Sequence, residues 1–445
     1  MKLWIKDPMA MATPAPQANS GLLIEDGLIT AVLDRPPEAF DEVFDASKLV
    51  VLPGLINGHH HFYQTLTRAV PAASNRALFP WLEALYPIWA NLSETDILLS
   101  SQIAASELLL SGCTTAVDHH YLFSEHLLNA TDLQVEAVKP LGLRSILCRG
   151  SMSLGQSQGG LPPDRVTQPE ASILKHSQLM LEAHHDPSPG AMHQIALAPC
   201  SPFSVSKTLM RETAALAKDF GAGLHTHLSE THDENAFCED LYGQRPLDYL
   251  EEVNWLRPNT WLAHGIHFEP TEIQRLGRAG VGITHCPSSN MILGSGICKT
   301  LELEAAGVPI GIGVDGSASN DSSNLILEAR QALLLQRLKY GSERVSIHHC
   351  LDWATRKGAL AINRPELGSL EPGKVADLAF FKVDEIQHSG NHDPLASLLL
   401  SGTFKAEHVM INGQWRVKDG CLPNIDLDRL KANHQEAAQE LLKRL

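Results

Sequence analysis

Through the middle of the chain, short apolar runs that end abruptly in polar residues alternate with longer stretches of helical spacing. The runs are Leu49–Ile56, Thr114–Val117, Arg144–Cys148, Ile195–Ala198, Gly223–Thr226, Thr260–Ala263, Gly282–Thr284 and Pro309–Val314. Short runs of this kind predict strands buried on both faces. Between them the spacing predicts helices. One runs from the N-cap candidate Ser93 through Ile97, Leu98, Ile103, Ala104 and Leu108 to Gly112; others cover 206–220, 270–279 and 323–338. Strands alternating with helices imply a parallel sheet. Eight repeats of the unit imply an α/β fold closed into a (β/α)8 TIM-like barrel rather than an open sheet.

The two ends have a different texture. Residues 20–50 and 371–420 alternate in short strands around turns such as Glu25-Asp26-Gly27, Glu371-Pro372-Gly373-Lys374 and Ile411-Asn412-Gly413-Gln414. Neither end has strands enough for a core of its own. Together they are expected to form a small β-sandwich domain built from both termini. The predicted division is 1–51 and 371–424 for the sandwich, 52–370 for the barrel and 425–445 for an amphipathic C-terminal helix.

Composition narrows the partners. The net charge of −16 argues against a nucleic-acid backbone or an anionic membrane. No run of about 18 apolar residues is present to span a membrane. The opening segment Met1–Pro8 is broken by charge and proline too early for a secretory signal. Cys113, Cys148, Cys200, Cys238, Cys286, Cys298, Cys350 and Cys421 are scattered and include no C-x-x-C pair, which is the pattern of reduced cysteines. The expectation is a cytoplasmic homo-oligomer, dimer or larger, acting on a small molecule.

In such a barrel the chemistry lies at the C-terminal ends of the strands. Those ends carry, in strand order, His59 and His61, Asp118, Arg149, Cys200, His227, His264, His285 and Asp315. His59 and His61 form an H-x-H. Residues two apart in a strand point to the same side, so both imidazoles reach one ion while His60 points away. His227 and Glu230 form an H-x-x-E after the fifth strand. Imidazole suits Zn2+, and a carboxylate three residues on can shuttle protons beside an activated water. His225 stands two residues before His227, but the spacing to Glu230 favours His227 as the ligand. Asp315 ends the glycine-rich strand Ile310–Val314, which has no structural need of a terminal carboxylate. The expected centre is one divalent cation held by His59, His61, His227 and Asp315: zinc, with iron or manganese also compatible. Asp118 and His119 are read as structural. Gly155-Gln156-Ser157-Gln158-Gly159 matches G-x-S-x-G, but no helix follows the serine. His232-Asp233-Glu234 matches an H-x-E, but no P-C-x-x-C follows, so it is read as helix surface.

The segments Pro53–His61, His227-Leu228-Ser229-Glu230, Ala263-His264, His285-Cys286-Pro287-Ser288-Ser289-Asn290, Gly313-Val314-Asp315-Gly316 and Gly368–Leu378 resemble the amidohydrolase superfamily over nearly the whole chain. Within it the chain looks like the branch of guanine, cytosine and S-adenosylhomocysteine deaminases and triazine hydrolases. His59–Arg68, Cys200-Ser201-Pro202-Phe203 and His285–Leu293 look most like 8-oxoguanine deaminases. Binuclear members carry a bridging lysine near the end of the fourth strand. Gln194–Cys200 contains no lysine, in keeping with a single ion.

The resemblance implies hydrolytic deamination of an amino-substituted aromatic ring, with 8-oxoguanine giving uric acid and ammonia. Asp315 would take a proton from the attacking water, Glu230 would deliver one to the ring nitrogen, and His264 would stabilise the tetrahedral intermediate. Gln64, Arg149, Cys200 and Glu230 are the expected substrate contacts. Trp81 and Trp89 lie in the loop after the first strand, a candidate lid. A guanine or other nucleobase deaminase and a triazine-type amino- or chlorohydrolase share the same metal motifs. A barrel that has lost catalysis would be expected to have lost ligands as well.

Overall fold

The computed structural model describes residues 1–13, 20–124 and 127–445. Eight strands form the barrel: β1 Leu55–Asn57, β2 Cys113–His120, β3 Arg144–Ser151, β4 His193–Pro199, β5 Gly223–Leu228, β6 Thr260–His264, β7 Gly282–His285 and β8 Ile310–Ile312. Neighbours pair in parallel in sequence order, and β8 pairs back onto β1, which closes the barrel. Ile146 and Cys148 of β3, Ala196 and Ala198 of β4, Ile56, Val117 and Trp261 pack in one buried cluster. That alternation by twos fixes which side chains of each strand face outward.

Six helices matter for the site: α1 Leu78–Trp89, α2 Glu94–Leu110, α3 Glu170–His184, α4 His232–Tyr242, α5 Leu325–Tyr340 and α6 Leu427–Lys443. α2 starts where Ser93 and Asp96 close a capping box, satisfying two backbone donors the helix would otherwise leave free. α6 lies against α2. Arg444 pairs with Asp96 there, and His434 Nε2 lies 3.0 Å from Thr65 Oγ1, so the C-terminal helix braces the segment that follows His61.

Two further sheets come from both ends of the chain. One has the order Leu28–Leu33, Gly21–Glu25, Lys2–Lys6, Glu42–Asp45; the other Gln414–Val417, His408–Ile411, Leu378–Lys382, Leu49–Pro53, Ala10–Met11. Leu3, Ile5, Leu22 and Ile24 of the first pack on Val51, Leu378, Phe380 and Met410 of the second. The strands at Lys2–Lys6 and Ala10–Met11 have no counterpart in the sequence reading.

The apolar run Leu49–Ile56 is not one strand. It divides at Gly54: Leu49–Pro53 pairs with Leu378–Lys382, and Leu55 opens the barrel. A Cβ at Gly54 would stand 2.1 Å from Thr114 Oγ1, so only glycine lets the chain cross between sheets there.

Candidate active site

His59 and His61 follow β1, His227 lies in β5, and Asp315 follows β8. Their convergence needs close backbones: a Cβ on Gly313 would come within 2.9 Å of His59 Cβ. Each imidazole is oriented by its other nitrogen. His61 Nδ1 is 2.6 Å from the His119 carbonyl oxygen, and His227 Nδ1 is 2.7 Å from that of Cys200. A carbonyl only accepts, so both Nδ1 atoms carry the proton and both Nε2 atoms keep a lone pair. For His59 the relay is longer. His225 Nδ1 donates to the Trp261 carbonyl at 2.9 Å, leaving His225 Nε2 to accept from His59 Nδ1 at 2.7 Å. His225 thus orients His59, and both of its own ring nitrogens are engaged.

The three free Nε2 atoms face each other and Asp315. His61 Nε2 and His227 Nε2 are 3.2 Å apart. Asp315 Oδ1 is 3.3 Å from His59 Nε2 and 3.4 Å from His61 Nε2. His59 Nε2 is buried and has no hydrogen-bond partner. Burial holds all three imidazoles below their ordinary pKa, so they are neutral. Lone pairs turned on one another at such distances repel unless an electrophile lies among them. Three imidazole nitrogens and one carboxylate fit a divalent zinc-like cation.

Next to this cluster sits an acid–base pair. His264, the last residue of β6, has Nδ1 3.0 Å from Asn290 Oδ1; its Nε2 is 3.5 Å from Glu230 Oε2 and 3.9 Å from Asp315 Oδ2. Burial alone would depress the His264 pKa, but the Glu230 and Asp315 carboxylates outweigh it and raise it. Burial pushes the Glu230 carboxyl up to about 7, against the opposing pull of His264. Ser229, His264 and Asp315 all have left-handed backbones, with φ of 54°, 72° and 62°. Non-glycine residues are rare there, and such strain gathers at functional sites.

Residues 50–416 match the amidohydrolase family. The chain belongs to the amidohydrolase family. It is 55% identical over 445 residues to an 8-oxoguanine deaminase of Pseudomonas aeruginosa, with 99% of each chain covered. It is 36% identical over 397 residues to a hydroxydechloroatrazine ethylaminohydrolase of Pseudomonas sp. (strain ADP), covering 86% of this chain and 81% of that one. Among solved structures, the zinc complex of atrazine chlorohydrolase from Arthrobacter aurescens TC1 superposes with a TM-score of 0.92 at 31% identity, over 98% of this chain and 100% of that one.

The amidohydrolase pocket above these groups has a catalytic floor and an apolar roof. His61, His227, Glu230, His264 and Asp315 line the floor. Leu78, Trp81, Leu82 and Tyr86 of α1 form the roof, with Phe203 and Leu293 beside them. Gln64 lines the pocket; its Oε1 accepts from Ala318 N at 3.3 Å and its Nε2 is turned to Tyr63. Cys200 lines it too, with Sγ 3.9 Å from His227 Nδ1. Of the two tryptophans, Trp81 faces the pocket, while Trp89 is buried behind it and donates to Thr67 Oγ1 at 3.1 Å.

Arg149 departs from expectation, because it does not reach the pocket. Its Nε donates to His176 on α3 at 3.1 Å, its Nη2 to Gln168 at 2.8 Å and its Nη1 to the Gly150 carbonyl, with the guanidinium over the Phe123 ring. It follows inward-facing Cys148 by one residue, so strand alternation turns it outward. His60 and His285 also point away, to Ser323 and Gln336. Asp118 is structural: its Oδ1 accepts from Phe62 N at 2.5 Å, pinning the backbone just after His61.

Glu234 is a second correction. The helix-surface reading of His232-Asp233-Glu234 holds for the first two residues, which are exposed, but Glu234 is fully buried. Its Oε1 accepts from Ser229 N at 2.7 Å and its Oε2 from Glu230 N at 3.2 Å. It therefore grips the strained peptide that carries Glu230. His119 also gains a role in the cluster. It stacks on His227 with centroids 4.9 Å apart, and one of its ring nitrogens lies within 4.8 Å of ligand atoms of His59 and His227.

Proposed function

We propose that this amidohydrolase is a metal-dependent deaminase that converts 8-oxoguanine to uric acid and ammonia. The observation carrying the reading is the converging set of Nε2 lone pairs and the Asp315 carboxylate, set beside a buried acid at Glu230. The 8-oxoguanine deaminase relative, 55% identical over the full length, supports the substrate.

His59, His61, His227 and Asp315 would hold one divalent cation, zinc in the first instance. When bound, such an ion lowers the pKa of a water toward about 7. The protein's own groups supply the rest. Against the cost of burial, the Asp315 carboxyl is held well below its usual range, with the raised His264 beside it, so it is ionised and can accept a proton from the attacking water. Glu230, raised to about 7, carries a proton near neutrality and passes it to the ring nitrogen beside the amine-bearing carbon. His264 Nε2 donates to the oxygen as it bonds to that carbon. The C–N bond then breaks as Asp315 passes the proton it took from water to the amine, which leaves as ammonia; the proton left on the new oxygen returns to Glu230 as the carbonyl forms. At C2 of 8-oxoguanine the new carbonyl makes uric acid. Gln64, in the helical turn Phe62–Thr67, and Cys200, just after β4, are the contacts for the ring; Arg149 is dropped from that role.

No helix among the described residues is long and apolar enough to cross a membrane, and all eight cysteines are free thiols. Both facts support the proposed cytoplasmic setting. The proposed homo-oligomer is a matter for sedimentation. The decisive assay measures ammonia release from 8-oxoguanine, guanine, cytosine and an amino- or chlorotriazine, compared as kcat/KM. Highest efficiency on 8-oxoguanine is expected. A triazine preferred over every purine would reverse the assignment.

A further inference from the structure

Tyr86 sits on α1 in the roof of the pocket, fully buried, and its hydroxyl has no hydrogen-bond partner. The other polar residues of the wall are engaged. Gln64 is held by Ala318, His264 by Asn290, His61 and His227 by backbone carbonyls, and Ser319 by Ser289. Tyr121 pairs with Tyr63. Among the described residues lining this pocket, Tyr86 carries the side-chain oxygen that is buried without a partner. Native proteins seldom leave such a group unsatisfied, and one that faces a binding cavity is satisfied by what binds there.

The floor and the roof dictate which part of a substrate it meets. Groups at the ends of β1, β5, β6 and β8 serve the water that attacks the amine-bearing carbon and protonate the ring nitrogen beside it. A flat bicyclic ring set down on that edge lifts its opposite edge toward α1. The Tyr86 hydroxyl lies near Cys200 and Tyr63, in a pocket whose apolar wall includes Leu78, Leu82, Phe203 and Leu293, a buried setting in which a single hydrogen bond counts for more than in water. Burial, with Cys200 and Tyr63 nearby, keeps the phenol un-ionised, so it has a proton to donate.

We propose that Tyr86 is a specificity-determining residue whose hydroxyl donates a hydrogen bond to a carbonyl oxygen on the edge of the ring remote from the hydrolysed carbon. The inference rests on the proposed reading, under which that oxygen is the C8 carbonyl of 8-oxoguanine, absent from guanine. A site built to hydrogen-bond a group rejects the analogue that lacks it.

The test is Tyr86→Phe, which keeps the ring that packs edge-on against Trp89 at 6.0 Å and removes only the oxygen. Metal content and melting temperature are measured alongside, to confirm a folded, loaded enzyme. The expected result is a fall of about 10-fold or more in the ratio of kcat/KM on 8-oxoguanine to kcat/KM on guanine, expressed mainly in KM. An unchanged ratio overturns the inference, whether both values hold or both fall together. If wild-type enzyme releases no ammonia from 8-oxoguanine, the substrate reading fails first. The same ratio is then taken between whichever carbonyl-bearing ring is hydrolysed and its analogue lacking that carbonyl. Hydrolysis only of rings without such a carbonyl also overturns the role given to Tyr86.

Discussion

At the scale of single residues, the site is organised by which atom of each side chain is already committed. The imidazoles of His59, His61 and His227 are useful because their Nδ1 atoms are tied off, and Glu230 is useful because burial keeps it protonated near neutral pH. Glu230→Gln preserves the shape and removes the acid. It should retain metal and lose about 10²–10⁴-fold in kcat, the usual contribution of a proton shuttle. Near wild-type turnover in the loaded variant would remove Glu230 from that role. Glu234→Gln asks a different question. A carboxylate accepts from both the Ser229 and Glu230 amides, whereas an amide side chain would turn a donor toward one of them. The peptide bearing Glu230 should relax from its strained conformation, lowering kcat by about 10-fold or more while the metal stays bound. Unaltered kinetics would reduce Glu234 to a packing residue.

At the scale of elements, α1 is the part that must yield. The free space between roof and floor is about 30 Å3 as α1 lies, room for a water molecule and tight for a bicyclic ring. α1 is latched by Trp81 Nε1 to the Ala318 carbonyl at 3.3 Å and by Arg165 to the Pro87 carbonyl at 3.1 Å. Substrate is therefore expected to enter with α1 lifted and to be covered as it returns. Amide hydrogen exchange across 78–89 should slow on addition of uric acid, while exchange in α5 changes little. Equal exchange in α1 with and without ligand would show that the roof does not move.

At the scale of the molecule, metal and proton binding should both register in stability. Elemental analysis should find one ion per chain, because the four ligands form one cluster. A chelator should lower the melting temperature, since an ion that binds only the folded state adds about 4 kcal/mol at a thousand times its Kd. Two ions per active chain would contradict the single-ion centre. The pH dependence has a separate source in Glu328, on α5. It is buried, accepts from Ser288 N, Ser288 Oγ and Asn320 Nδ2, and burial raises its carboxyl from 4.5 to about 7. The folded state thus keeps a proton that the unfolded chain has already released. Stability from this group is full below pH 4.5 and is lost as the pH rises toward 7. Denaturation across that window should show stability falling with pH, and Glu328→Gln should flatten the slope. An identical slope in the variant would assign the effect elsewhere.

The sequence by itself determined the barrel, because strand and helix periodicities repeat through 49–314. It also singled out the residues that cluster at the barrel mouth, His59, His61, His227, Glu230 and Asp315, because H-x-H, H-x-x-E and a carboxylate ending a glycine-rich strand have few other uses. Turn residues near both ends announced the short strands that flank the barrel. What it could not determine was direction and company. The apolar run across Gly54 reads the same whether it serves one sheet or two; only the approach of Thr114 decides that it divides. Arg149 at a strand end reads as a substrate contact until its register relative to Cys148 is known, and one residue of parity sends it out of the pocket. Glu234 and Tyr86 look like ordinary helical residues, although Tyr86 shares the spacing of Leu78, Trp81 and Leu82. Their roles arise only when the strained peptide at Ser229 meets one and the closed roof buries the other. Periodicity is a local property of a chain, whereas the partner of a buried polar atom is set by segments hundreds of residues away.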